Sequence, residues 1–455
     1  MKKALTVALA AMLAGAAWAA KPTPTPAPVR DTVVYKPAYE DPVLKQIEDA
    51  GKAAKKQADE ATTKVREEQK AKRDAEEKDR KTLRFDMSGI VRPVSPDVFA
   101  QAWHFPPQAQ YLTGTCWSFA SSSFFEAEVF RLTKQRIKLS ELHTVYWEYV
   151  EKMRGFARAR GDSPIAEGSE ANAVVRIWKQ YGGVPEDAYP GVLAADGRHD
   201  HSRLIEQLES LAAWVKDHDL WDEDRVLAMT RAVLDRELGA PPERFSYQGK
   251  EYTPSSFVTG VLRLDLDAYV SVISTLSLPF HTLGEYKVPD NWRHDASYVN
   301  VPLDEWYAGI KRAVQNGFTV DIAGDVSEPG INGFEDAAVI PTFDIPAEYI
   351  DQNARELRFN NHTSTDDHVI HIVGYAQAGG KDWFLIKDSG RSSRWGKFEG
   401  YYFYREDYVK LKMLTYMVHR DAIPDILAKL KNPCSVARRS KVGEPPRCRL
   451  QVSMP

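Results

Sequence analysis

One thiol stands apart chemically from the other side chains of this sequence. Cys116 lies in Gln110-Tyr-Leu-Thr-Gly-Thr-Cys116-Trp-Ser-Phe, and Trp117, Phe119, Ala120, Phe124 and Val129 follow at roughly helical spacing. That spacing predicts that Cys116 opens a helix, where unpaired backbone N–H groups and the positive end of the macrodipole favour the thiolate, the nucleophilic form of cysteine. Gln110, across a glycine-containing loop, is placed to aim its amide at the oxygen of an attacked carbonyl. The segment alone suits a small thiol packed in a core equally well.

A thiolate nucleophile needs a base. Of the 11 histidines, His362, His368 and His371 gather with Asp366 and Asp367 in one short stretch. Val369-Ile370-His371-Ile372-Val373 reads as a strand, whose alternation sends His368 and His371 to opposite faces. They cannot then share a metal ion, and only one of them can face a cleft. Asp388 ends the next apolar run, Trp383-Phe-Leu-Ile-Lys387. A carboxylate there can accept from His368 and fix its tautomer, unless it is only an exposed turn residue.

The elements that must hold these residues follow from pattern. From about Phe85 the composition is globular, with helices around Cys116, over 170–181 and over 304–315. Strand-like runs follow at Phe318–Ile322, Val369–Tyr375, Trp383–Lys387 and Tyr401–Tyr404. A helical first half and a strand-rich second half predict an α+β fold of two subdomains with a cleft between them. Residues 196–300, mostly charged amphipathic segments, read as a helical insertion.

The ends are different. Residues 1–19 have the form of a secretory signal: Lys2 and Lys3, an apolar stretch, then Ala17-Trp18-Ala19. They imply a periplasmic or secreted protein. Residues 20–43 are Pro-rich and read as a tether; residues 44–82 have the composition of a charged, solvated helix. The tail, 422–455, is locally basic. In an oxidising compartment Cys434 and Cys448 can pair across a 15-residue loop, worth about 3 kcal/mol. Cys116 is then the odd thiol.

Composition sets the outer bounds. The 455 residues are 43% hydrophobic and 27% charged with a net charge of −4, enough apolar matter for a core and no global charge to favour nucleic acid. No apolar run reaches the roughly 18 residues of a spanning helix.

Several segments resemble the papain-like cysteine peptidases. Gln110–Phe119 is similar to their Q-x5-C-W-[SA]-F motif, and Asp367-His368-Val-Ile-His-Ile-Val-Gly374-Tyr375 to their [DN]-H-x4-V-G-Y strand. Ile386-Lys387-Asp388-Ser389 resembles I-K-N-S, and Trp395-Gly396…Gly400-Tyr401 resembles W-G-x-x-G-Y with one extra residue. Leu139-Ser140-Glu141 and Tyr181-Gly182…Pro185 also match. Val288-Pro-Asp-Asn-Trp292 and Gly324-Asp-Val-Ser-Glu328 are closer to the bleomycin hydrolase / aminopeptidase C branch than to papain. The resemblance spans about 84–421.

It implies a helical half carrying the cysteine, an antiparallel β-barrel half carrying the histidine, and hydrolysis of peptides, by an aminopeptidase rather than an endopeptidase. Cys116 would be the nucleophile, His368 the base and leaving-group acid, Asp388 the orienting residue and Gln110 an oxyanion donor. Gly168-Ser169 would hold substrate backbone. No cofactor is implied, peptides are the expected partners, and homo-oligomers occur in the branch. Three positions depart from the family pattern. Asp388 stands for asparagine, Gly390 for the tryptophan that shields the histidine–asparagine bond, and Ser169 for the second glycine of a Gly-Gly pair. These departures frame one rival, a catalytically impaired peptide-binding protein on the same fold. An envelope scaffold acting through the charged helix and basic tail is the other.

Overall fold

The computed structural model describes residues 31–430 apart from 79 and 82. The signal, the first part of the tether and the segment with Cys434 and Cys448 lie outside the described residues. The chain divides into two units, 1–82 and 83–455.

In the first unit α1, Pro42–Lys78, is a 37-residue helix with no buried residue. Its support is local. Lys, Glu, Ala and Gln are good helix formers, and Lys52–Glu48, Lys56–Glu60, Lys64–Glu68 and Lys72–Glu76 pair at i,i+4.

The second unit sets helices against one large sheet. The helical layer begins with α2, Cys116–Thr133, and α3, Glu141–Arg158. It continues with α4, Ala171–Tyr181, α5, Ser202–Asp217, and α6, Glu223–Glu237. Ser140 caps α3 by accepting from the His143 N–H at 3.0 Å. Gly182 ends α4 at φ +75°, where a Cβ would meet the Pro254 backbone at 2.2 Å; only glycine serves there. A further helix, α7, Leu303–Gln315, belongs with the sheet and buries Trp306 and Ile310 in the sheet's own core.

Six strands form the centre of the sheet: β1, Tyr269–Ile273; β2, Val320–Gly324; β3, His368–Ala378; β4, Lys381–Lys387; β5, Tyr401–Arg405; and β6, Met413–His419. They run in the order β1-β6-β2-β3-β4-β5, every neighbour antiparallel. The β3–β4 turn is the two residues Gly379 and Gly380, both at positive φ, as a tight hairpin needs. Two parallel pairings flank this centre, at Val272↔Val299 and Phe403↔Ala337, so the full sheet is mixed rather than wholly antiparallel.

Residues 196–300 are not helical throughout. After α5 and α6 come a hairpin, Phe245–Tyr247 with Lys250–Tyr252, and then β1 inside the main sheet. Val270, Val272 and Ile273 supply the apolar, β-branched residues of a strand buried on both faces, a short run masked in sequence by its charged flanks.

Strand alternation builds two cores. Ala323, Val369 and Met417 turn to the helical layer with Trp117 and Phe124, while Ile322, Ile370 and Tyr416 turn the other way with Trp306. The seam between α2 and the sheet is polar in places: Ser121 donates to Asp321 and Ser123 Oγ lies 2.8 Å from His371 Nδ1. These fixed bonds set α2 against β3 and so Cys116 against the start of β3.

Candidate active site

Cys116 is the first residue of α2 and is partly exposed. By position its backbone N–H has no intrahelical acceptor. The loop before it is tied to residue 167: the Gly114 N–H donates to Glu167 Oε2 at 2.8 Å and Trp117 Nε1–H donates to the Glu167 carbonyl at 3.0 Å.

His368 is the first residue of β3. It shares the parity of Ile370 and Ile372, but at the strand's edge it stands beyond that core and meets Asp388, with Nε2 2.7 Å from Asp388 Oδ1. The Gly390 N–H donates to the same oxygen, also at 2.7 Å. Burial works against the charged imidazole. The Asp388 carboxylate and Cys116 outweigh it through charge and hydrogen bonding, and hold His368 well above its ordinary value. Burial likewise raises Asp388, but His368, the Gly390 N–H and Arg394 bring it below the usual carboxylate range. Cys116, His368 and Asp388 thus form one electrostatically linked row.

His371 has the opposite role. Burial, then Lys387 and His104, depress it well below its ordinary value, so it stays neutral against Ser123. Alternation separates it from His368 as the sequence requires. Among the described residues no three His, Cys, Asp or Glu side chains group closely enough to hold a metal ion.

Gln110 is clamped at both ends of its amide. Its Nε2 donates to the Thr113 carbonyl at 2.8 Å and its Oε1 accepts from Ser389 Oγ at 2.6 Å. The backbone adds a third tie, Gln110 N–H to the Ser389 carbonyl at 3.0 Å. One amide N–H remains for an incoming oxygen. Ser389 was visible in the sequence only as the residue after Asp388. Its hydroxyl links the strand end that carries Asp388 to Gln110.

The three departures from the family pattern each find a local answer. Asp388 has two positive neighbours, His368 and Arg394, to offset its buried charge. At Gly390 a Cβ would stand 3.1 Å from both Asp388 Oδ1 and His368 Nε2. The His368 and Asp388 side chains are nonetheless only 10% and 3% exposed, and Trp395 packs on Phe334, half-exposed. Ser169 turns inward and donates to the buried Glu148 at 2.8 Å. Glu148 also accepts from Trp292 and Arg176, so the serine costs no strain and leaves the backbone of Gly168-Ser169 beside the nucleophile loop.

Comparison with known proteins bears on the family and the fold. The model of the Peptidase C1-like family matches residues 55–437. The chain belongs to that family. The match runs beyond the 84–421 legible by motif. Aminopeptidase C of Lactococcus lactis subsp. cremoris is 22% identical over 362 residues, 70% of this chain and 82% of that protein. Aminopeptidase C of Streptococcus thermophilus is 24% identical over 260 residues, 48% of this chain and 58% of that protein. Among solved structures, PepW of Lactobacillus rhamnosis HN001 superposes with a TM-score of 0.57 at 18% identity, covering 73% of this chain and 85% of PepW. The fold is papain-like, and the chain is a member of the bleomycin hydrolase / aminopeptidase C branch.

Proposed function

We propose that this protein is a thiol aminopeptidase acting on peptides outside the inner membrane. The observation that carries the reading is the row Cys116–His368–Asp388, with His368 held as a cation between the Cys116 sulfur and the Asp388 carboxylate. The Cys116 thiolate attacks the carbonyl carbon of the first peptide bond. The resulting oxyanion is received by the Cys116 backbone N–H and the free amide N–H of Gln110. His368, already protonated, gives its proton to the leaving amine, and a thioester on Cys116 remains. A water then loses a proton to His368 and attacks the thioester, which releases the acyl part as a carboxylate and restores the thiolate–imidazolium pair. Asp388 keeps Nε2 engaged so that Nδ1 faces the sulfur.

The aminopeptidase limb is supported by the Aminopeptidase C relatives, and the extracytoplasmic setting by the signal-like residues 1–19. A pair of fluorogenic substrates, leucyl anilide and its N-acetylated form, tests the reading. Hydrolysis of the first and not the second is expected, and Cys116→Ala removes it without loss of fold. Equal hydrolysis of both makes the enzyme an endopeptidase. Turnover that survives Cys116→Ala removes the mechanism.

A further inference from the structure

Two residues before His368 a half-buried carboxyl group occurs, Asp366, and its partner is a second acid. Glu170, only 3% exposed, lies at the start of α4, and its carboxyl group is within hydrogen-bonding reach of Asp366. Burial, with the charge of Asp290 added, raises both above the carboxylate range; Asp366 raises Glu170 further, while the hydrogen bond from Glu170 and the charge of His368 offset part of the rise at Asp366. Two adjoining carboxylates in such a place cannot both ionise unless a cation joins them.

The surroundings are short of donors. Glu170 Oε1 and Asp366 Oδ1 are buried without a partner, and so are the hydroxyls of Tyr286 and Tyr298, which sense both acids. Tyr298 and Glu170 line one small cavity. Asp290, from another segment, acts on both acids through its charge, and its carboxylate lies against Gly168, where a Cβ would come within 2.2 Å of Oδ2. The nearby Lys152 is engaged with the carbonyls of Ala166 and Gly168. Glu170 is buried, while Asp366 and Asp290 are only half-buried. Asp366 and Asp290 are therefore the two acids that a ligand can reach from solvent.

The location selects the cation. Asp366 is about 7 Å along the chain from His368 at strand rise, and Gly168 adjoins the residue tied to Trp117. A substrate whose first carbonyl carbon stands at Cys116 carries its α-nitrogen only about 2.5 Å from that carbon. An ammonium brings three N–H donors to these oxygens. We propose that Asp366 and Asp290, backed by Glu170, receive the free α-ammonium of the substrate's first residue. The walls of the cleft themselves then read the peptide's N-terminus. The inference deepens the aminopeptidase reading and rests on it for the identity of the substrate.

Binding separates the two claims. Calorimetry on Cys116→Ala with leucinamide and N-acetyl-leucinamide is expected to show at least a tenfold margin for the free amine. The margin collapses when Glu170→Gln, Asp366→Asn or the half-exposed Asp290→Asn is added, with no loss of thermal stability. Equal affinity for the two ligands, or a margin that survives all three substitutions, overturns the inference. If an N-acetylated peptide with a lysine or arginine next to its scissile residue binds best, and loses that advantage in the same variants, the pocket belongs to a basic side chain and the inference is again overturned. A margin that is intact in a protein that hydrolyses nothing supports the pocket while removing the peptidase reading.

Discussion

Two acid-containing pairs lie within a few residues of each other at the start of β3, and they solve the problem of a buried charge in opposite ways. His368–Asp388 brings its own cation: a 2.7 Å bond joins them, His368 rises and Asp388 falls. Glu170–Asp366 brings none, and both members rise. A resident counter-charge makes a pair permanent, which suits a group that must stay aligned through every turnover. A missing counter-charge leaves a pair receptive, which suits a group that must recognise a cation and then release it. In this chain the two arrangements stand two residues apart, at Asp366 and His368.

The largest expected effect is Cys116→Ala, which lowers kcat by about four to six orders of magnitude with the circular dichroism spectrum unchanged. Next, Glu170→Gln or Asp366→Asn lowers kcat/KM for free-amine substrates by about 10- to 100-fold, chiefly through KM, and leaves alkylation of Cys116 intact. The same pair separates the two regions by stability. Glu170 keeps its proton in the fold at a pH where an unfolded carboxyl has lost it, so its burial weakens the fold progressively as pH climbs above the unfolded value near 4. Glu170→Gln is therefore expected to melt higher than the parent at pH 7. Asp388, depressed in the fold, contributes stability above the unfolded value that is lost only as pH falls through the folded one. Asp388→Asn is expected to melt lower at pH 7. Equal signs for the two variants would break the contrast.

Smaller effects sharpen it. Activity ends on the alkaline side when His368 loses its proton, and Asp388 is what holds that proton most strongly after burial is overcome. Asp388→Asn is expected to move the alkaline limb of kcat/KM down by about one pH unit or more, read from a pH–rate profile. Ser389→Ala frees Gln110 Oε1 and is expected to lower kcat several-fold with little change in KM, because the oxyanion donor acts in the transition state. Ser169→Gly removes one hydrogen bond to Glu148, costs about 1 kcal/mol of stability and leaves activity near the parent's.

The three residues that the fold brings into one row were legible in the sequence because each is marked by its own surroundings: Cys116 by the helix pattern after it, His368 by the β-branched run, Asp388 by the end of the next apolar run. What alternation said of His368 and His371 holds in the fold. The acidic pocket was not legible. Glu170, Asp290 and Asp366 come from segments more than seventy residues apart, and each alone resembles a solvated surface acid. Asp366 was visible only as part of a histidine-rich cluster. Ser169 reads as a misplaced glycine until Glu148 is seen beneath it, a contact made across α3. β1 was hidden for another reason: five residues of strand pattern between charged helices carry too little period to outweigh their neighbours, and only its pairing with β6 and the segment Tyr298–Asn300 makes it part of the sheet.

The covalent step is open to direct observation. Rapid-quench mass spectrometry of the enzyme mixed with a leucyl ester, followed by digestion, is expected to find a leucyl group on the peptide containing Cys116, formed before steady state and absent in Cys116→Ala. Steady hydrolysis with no acyl mass on Cys116 at any quench time would contradict the thioester route and, with it, the role given to the row of Cys116, His368 and Asp388.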